Sequence, residues 1–114
     1  MRIISAFLQE RGIVIPDNRT PETPIAVKVK QMLIDEFALN TDVVVNEASL
    51  QRDLDLYDLE RIDFLVTWMA AFDIDYTQLK DVVGLEGKCL EVMMYVGTVG
   101  EIIALTEWLI KHNH

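Results

Sequence analysis

Between Asp58 and Phe72 there is neither glycine nor proline, and Leu59, Ile62, Leu65, Val66, Met69 and Phe72 recur at a spacing of three to four. That period predicts an α-helix with one face on a core, and it excludes a half-buried strand, whose apolar residues would alternate. Asp58 precedes the apolar run and is placed to accept a hydrogen bond from a free backbone amide, a cap that contributes about 0.5–2 kcal/mol. Its charge also suits the positive end of the helix dipole. A last helix is announced by Thr98-Val99-Gly100-Glu101, the reciprocal capping box, and continues through Ile102, Ile103, Thr106, Leu109 and Ile110 to Lys111 and His112. Another starts with Thr23 as cap and Pro24 in its first turn and runs to about Ala38, with Ala26, Val29, Leu33 and Phe37 on one side.

The remaining segments are irregular. Ile3, Ile4, Phe7 and Leu8 predict a short amphipathic helix that Gly12 closes; Gln9, Glu10 and Arg11 interrupt it too early for the roughly 7–15 apolar residues of a secretion signal. Pro16 to Pro24 gathers three prolines and reads as a linker. From Leu39 to about Tyr57 the period is lost, with Val43, Val44, Leu50, Leu54 and Leu56 as anchors for a long loop of the kind that often carries function. Thr77 to Val83 reads as one or two helical turns stopped by Gly84, and Cys89 to Val96 fits helix or strand. The expected class is all-α, with an N-terminal extension over 1–24 and a helical domain over 25–114.

Charge and composition narrow the function. With 51% hydrophobic residues among 114, the chain has enough apolar surface for one domain with its own core and too much for a disordered chain. Nineteen acids against ten bases give a net charge of −9, which repels nucleic-acid phosphates and anionic lipid heads and favours a protein with a basic surface. No apolar run approaches the roughly 18 residues of a membrane span, and the single cysteine, Cys89, permits no internal disulfide. The cytoplasm is the expected compartment.

Catalytic and metal motifs fail on spacing. A calcium loop starting at Asp53 would need glycine and glutamate where Asp58 and Phe64 stand. His112 and His114 lack a third ligand, Cys89 reads as an inert apolar thiol, and no glycine-rich phosphate loop occurs. The only serines are Ser5 and Ser49; Ser49 lacks the glycines of a nucleophile elbow and reads as a loop hydroxyl bonding the backbone. The densest feature is Asp53, Asp55, Asp58, Glu60 and Asp63 against one base, Arg61. A solvated helix face accounts for it, and so does a docking surface on which charge sets encounter rate and register. Phe64 and Trp68, four apart on a stripe offset from Ile62, Leu65 and Met69, read as interface anchors or as core.

These residues together resemble the acyl carrier protein family, small acidic four-helix domains that carry a phosphopantetheine arm. Ile25, Val29, Met32, Leu33 and Phe37 stand where that family's first helix has its apolar positions. Asn46-Glu47-Ala48-Ser49-Leu50 resembles its loop signature, Asp53-Leu54 the pair before its second helix, and Phe72-Asp73 the pair that closes it, with no gap from Ile25 to Asp73. Thr98-Val99-Gly100-Glu101 resembles the start of its last helix, after an insertion. The resemblance covers about two-thirds of the chain and implies a four-helix bundle with an extra N-terminal helix and that insertion.

The departure falls at the attachment site. Where the family has Asp-Ser-Leu, this chain reads Tyr57-Asp58-Leu59, so Asp58 occupies the place of the serine that receives the arm, as it does in a bacterial acyl-carrier-like group that the chain also resembles. A carboxylate cannot accept the arm as a serine phosphodiester, yet it can still serve the start of a helix. The resemblance therefore implies a non-enzymatic module with no prosthetic group, metal or other cofactor, docking through Asp55, Asp58, Glu60, Asp63 and Phe64 on a basic protein. The alternative is a working acyl carrier or lipid binder with a non-standard attachment, through Ser5 or Ser49 or a pocket near Met93, Met94 and Tyr95.

Overall fold

A helix that is apolar on nearly every side is stable only inside a protein, and Val99–Lys111 is such a helix. In the computed structural model, which describes residues 3–80, 82 and 89–112, it is the central element, with Val99, Ile102, Ile103, Ala104, Leu105, Thr106 and Leu109 all buried. In chain order the helices are α1 (Ile3–Glu10), α2 (Pro24–Phe37), α3 (Asp58–Phe72), the single turn α4 (Tyr76–Leu79) and the central α5 (Val99–Lys111). Two 3-10 helices lie at Thr41–Val43 and Cys89–Tyr95. α1 and α2 pack on α5, while α3 packs on α2 and on the Cys89–Tyr95 helix. The described residues are all-α apart from one isolated bridge between Ser49 and Thr98. None of their helices is long and apolar enough to cross a membrane.

Side-chain chemistry sets the helix ends. The Thr23 hydroxyl accepts from the Ala26 N–H at 3.1 Å and Pro24 opens α2, as the spacing implies. At α5, Thr98 accepts from the Glu101 N–H, but the Glu101 carboxylate reaches past Thr98 to the Gly97 N–H at 3.0 Å, so the box closes one residue earlier than expected. Gly12, at φ 70°, ends α1 in the left-handed region. Asp75 caps α4; hydrogen bonds from the Thr77 hydroxyl and then the Gln78 N–H hold its carboxyl below the usual range. Its contribution to that turn is in place above the ordinary carboxylate range and is lost as pH falls through the lowered folded value.

α1, in the segment read as an N-terminal extension, packs into the same core as the later helices. Ile4, Phe7 and Leu8 of α1 are at most 1% exposed and belong to one continuous buried cluster that ends at Leu109. The Phe7 ring meets Trp108 of α5 edge-on, with centroids 4.9 Å apart. The start of the proline-rich stretch, Pro16 to Asn18, lies against the loop over 46–50 and the start of α5, while residues 19–24 are exposed. Asn46 is buried and donates through Nδ2 to the Asp17 carbonyl at 2.6 Å, while Asn18 and Glu47 exchange two hydrogen bonds of 3.0 Å.

The long loop is anchored largely as expected, since Val44, Leu50, Leu54 and Leu56 are at most 4% exposed, whereas Val43 is 41% exposed. It also satisfies backbone groups around the start of α5. The Gly100 N–H donates to the Asn46 carbonyl at 2.8 Å, Val99 to Ala48 at 3.1 Å, and Leu50 to Gly97 at 3.0 Å. Gly100 is needed here because a Cβ would lie 2.4 Å from the Pro16 carbonyl and 3.0 Å from that of Asn46, both backbone atoms that cannot swing away. Gly100→Ala is therefore expected to destabilise the chain by about 1–3 kcal/mol, as overpacking does. Urea denaturation checks this, and an unchanged midpoint would contradict it.

Between α3 and α5 the expected helical turns are found as α4, and the segment left open between helix and strand is the 3-10 helix Cys89–Tyr95. The expectations for Gly84, the Cys89 thiol and His114 lie outside the described residues.

Candidate functional site

Aromatic side chains bury about 150–250 Å² each, so a helix with apolar residues nearly all round turns its aromatics inward. α3 does so. Phe64 and Leu65 are 2% exposed and Trp68 is 0% exposed, while Leu59 is 74%, Val66 66% and Ile62 43% exposed. The structure therefore reverses two sequence assignments. Leu59, Ile62 and Val66, expected on the core face, point to solvent. Phe64, expected on the docking surface, packs beside Phe37 of α2, with ring centroids 6.3 Å apart. Trp68 is likewise core: its indole N–H donates to the Thr106 hydroxyl at 2.8 Å, and that hydroxyl donates to the Ile102 carbonyl at 2.6 Å.

Leu59, Ile62 and Val66 follow one line along the helix, about two turns or ~10 Å long at 1.5 Å per residue. At about 100° per residue, Asp63 and Glu60 fall on one edge of that line, and Asp58 falls on the other at the leading end. Asp55, Asp58 and Asp63 are exposed and Glu60 is half-buried. Among the described residues the ion pair found joins Lys30 and Glu22, which leaves these four acids without a cationic partner there.

Each acid is held differently. Asp58 is the first residue of α3 and not its cap; Tyr57 occupies the cap position without a capping bond from its side chain. The reaching-back is done by Glu60, whose carboxylate accepts from the Tyr57 N–H at 2.9 Å. Asp58 instead contributes its charge, placed at the positive end of the helix dipole. Asp55 lies just before the helix at φ 57°, a left-handed conformation that aspartate tolerates better than most residues. A hydrogen bond to Asp55 and the negative charge of its carboxylate push the Tyr57 phenol above its usual value.

Asp53 is drawn away from this face, because its carboxylate accepts from the Ser49 N–H at 2.7 Å. Ser49 behaves as a loop hydroxyl, its Oγ accepting from the Arg52 N–H at 3.2 Å. Ser5 is buried in α1. Arg61 does not neutralise the acids: its Nε donates to the Leu56 carbonyl at 3.1 Å and its Nη1 to the Met94 carbonyl at 3.4 Å, tying α3 to the Cys89–Tyr95 helix. The described residues contain no group of three or more metal-ligating side chains.

Sequence reasoning found the acids and missed the apolar line between them. The available signal was the relative bulk of Phe64 and Trp68 against Leu59 and Val66, which decides the buried face where periodicity does not. Comparison with known proteins adds no relative: no family model, curated protein or solved structure matches the chain.

Proposed function

We propose that the chain is an acyl-carrier-like interaction module without a prosthetic group, and that α3 docks on the basic surface of a protein partner. The observation that carries this reading is the exposed line Leu59, Ile62 and Val66, bordered by Asp58, Glu60 and Asp63 with no cation of the described residues to balance them. Exposed apolar groups of this size stabilise a complex by leaving water, and unpaired acids at their edge select the partner's charge. Two copies meeting through this face would bring acid against acid, so a basic partner fits and a second copy does not.

The resemblance to acyl carriers supports the same reading. Asp58 begins α3, where the family's arm-bearing serine stands, and its carboxylate offers no hydroxyl for phosphodiester formation. The scaffold keeps a start for the helix and a docking face while the chemistry of attachment is lost.

Reversing two acids tests the electrostatic half of the proposal. Asp58→Lys with Asp63→Lys is expected to weaken binding of the captured partner about tenfold at low salt, and wild-type binding is expected to fall as salt approaches about 0.5 M. Binding that is unchanged by both treatments would refute a docking role for these acids.

A further inference from the structure

Where the end of α1 meets the last turns of α5, a cleft of about 460 Å³ gathers Arg11, Lys111 and His112, on a chain whose net charge is −9. All three are exposed, so a ligand can reach them. Neither Arg11 nor Lys111 has an acid within ion-pair distance among the described residues, where the ion pair found joins Lys30 and Glu22. Glu107, the acid of the lining, turns its Oε2 to the Thr23 hydroxyl at 3.0 Å. The cleft uses no residue of α3 and so stands apart from the proposed docking face.

Arg11 is held in one place. Its Nη1 donates to the Phe7 carbonyl at 3.3 Å, and its Cζ stands 3.7 Å from the centre of the Phe7 ring and 5.7 Å from that of Trp108. Trp108 is fixed in turn, with Phe7 edge-on at 4.9 Å and the His112 ring stacked on it at 4.4 Å. A guanidinium engaged through one nitrogen keeps further N–H donors for an oxyanion. Because its position is already set, little side-chain freedom is left to lose on binding.

Half-buried Ile13 and Trp108 give the same cleft an apolar wall. Its volume falls in the range of small-molecule sites, about 300–1,000 Å³, which combine such walls with a few placed polar groups. Nucleic acid or an anionic membrane would bring many further charges against the chain's excess of acids, whereas a small ligand with a single anionic group does not.

We infer that this cleft binds a small organic anion with an apolar body, its carboxylate or phosphate head accepting from Arg11 and Lys111 and its body against Ile13 and Trp108.

The test is an NMR titration of the full chain with phenylacetate, hexanoate and phenyl phosphate, which separate the two head groups and the two kinds of body. At least one is expected to give saturable shifts at the Trp108 indole N–H and at the amides of Gly12, Ile13 and His112, with none over 59–66 in α3. Phenylacetamide, which lacks the charge, and acetate or inorganic phosphate, which lack the body, are expected to bind about tenfold or more weakly. Arg11→Gln is expected to lose about tenfold in affinity, and Lys111→Gln, at an exposed position, to lose less while keeping the wild-type melting temperature. The inference is overturned if no probe saturates the protein at millimolar concentration or if the shifts map to α3 instead. It is equally overturned if the analogues lacking charge or body bind as well as the parent, or if both variants bind as tightly as wild type.

Discussion

Trp68→Ala is expected to destabilise the fold by about 3–5 kcal/mol, a large share of the ~5–15 kcal/mol that holds a domain of this size together. Trp68 is fully buried and joins α3 to the central helix, so its removal leaves a cavity and takes away the donor to the Thr106 hydroxyl oxygen at once. Thr106→Val separates the two effects. It keeps the volume and leaves the indole N–H without its acceptor, for an expected cost of about 1–3 kcal/mol. Combining the two is expected to cost less than their sum, since both remove the same hydrogen bond. Urea denaturation followed by far-UV circular dichroism measures all three variants. A loss below about 1 kcal/mol for Trp68→Ala would mean that Trp68 is not where the structure places it.

The opposite pattern is expected on the outer face of the same helix. Leu59→Ser combined with Val66→Ser is expected to weaken partner binding about 100-fold, from roughly 1–2 kcal/mol at each of two contact positions, and to leave the melting temperature within a few degrees of wild type. These side chains are 74% and 66% exposed, so the folded monomer gains little from them. Titration calorimetry against the purified partner, paired with a thermal melt, checks both halves. Unweakened binding would remove the apolar line from the interface, and an unfolded variant would show that the line is structural.

The contrast between the two faces of α3 shows what is legible in a sequence of this kind. Caps located the starts of α2 and α5, because Thr23, Pro24 and Thr98 act within a single turn of backbone, and periodicity located α3 although its expected cap, Asp58, is its first residue. Periodicity did not choose the buried side of α3. Apolar residues run almost round that helix, and the choice depends on how Phe64 and Trp68 fit α2 and α5, a matter of tertiary volume. The packing of α1 and of Pro16 to Asn18 was hidden for a similar reason. A proline-rich composition marks irregular backbone but does not show that Asn46 and Gly100 hold that backbone against the loop and the central helix. The acids of the proposed docking face were legible because charge at an exposed helix start needs no partner to be recognised.

One crosslinking measurement tests the docking account most directly. A photo-reactive phenylalanine is placed at Val66 in one sample and at Val14, another strongly exposed apolar position, in a second. The account predicts a discrete protein adduct from Val66, absent from Val14, that disappears in high salt and when Asp58 and Asp63 are changed to lysine. No adduct from Val66, or one formed equally from Val14 and indifferent to salt, would contradict it.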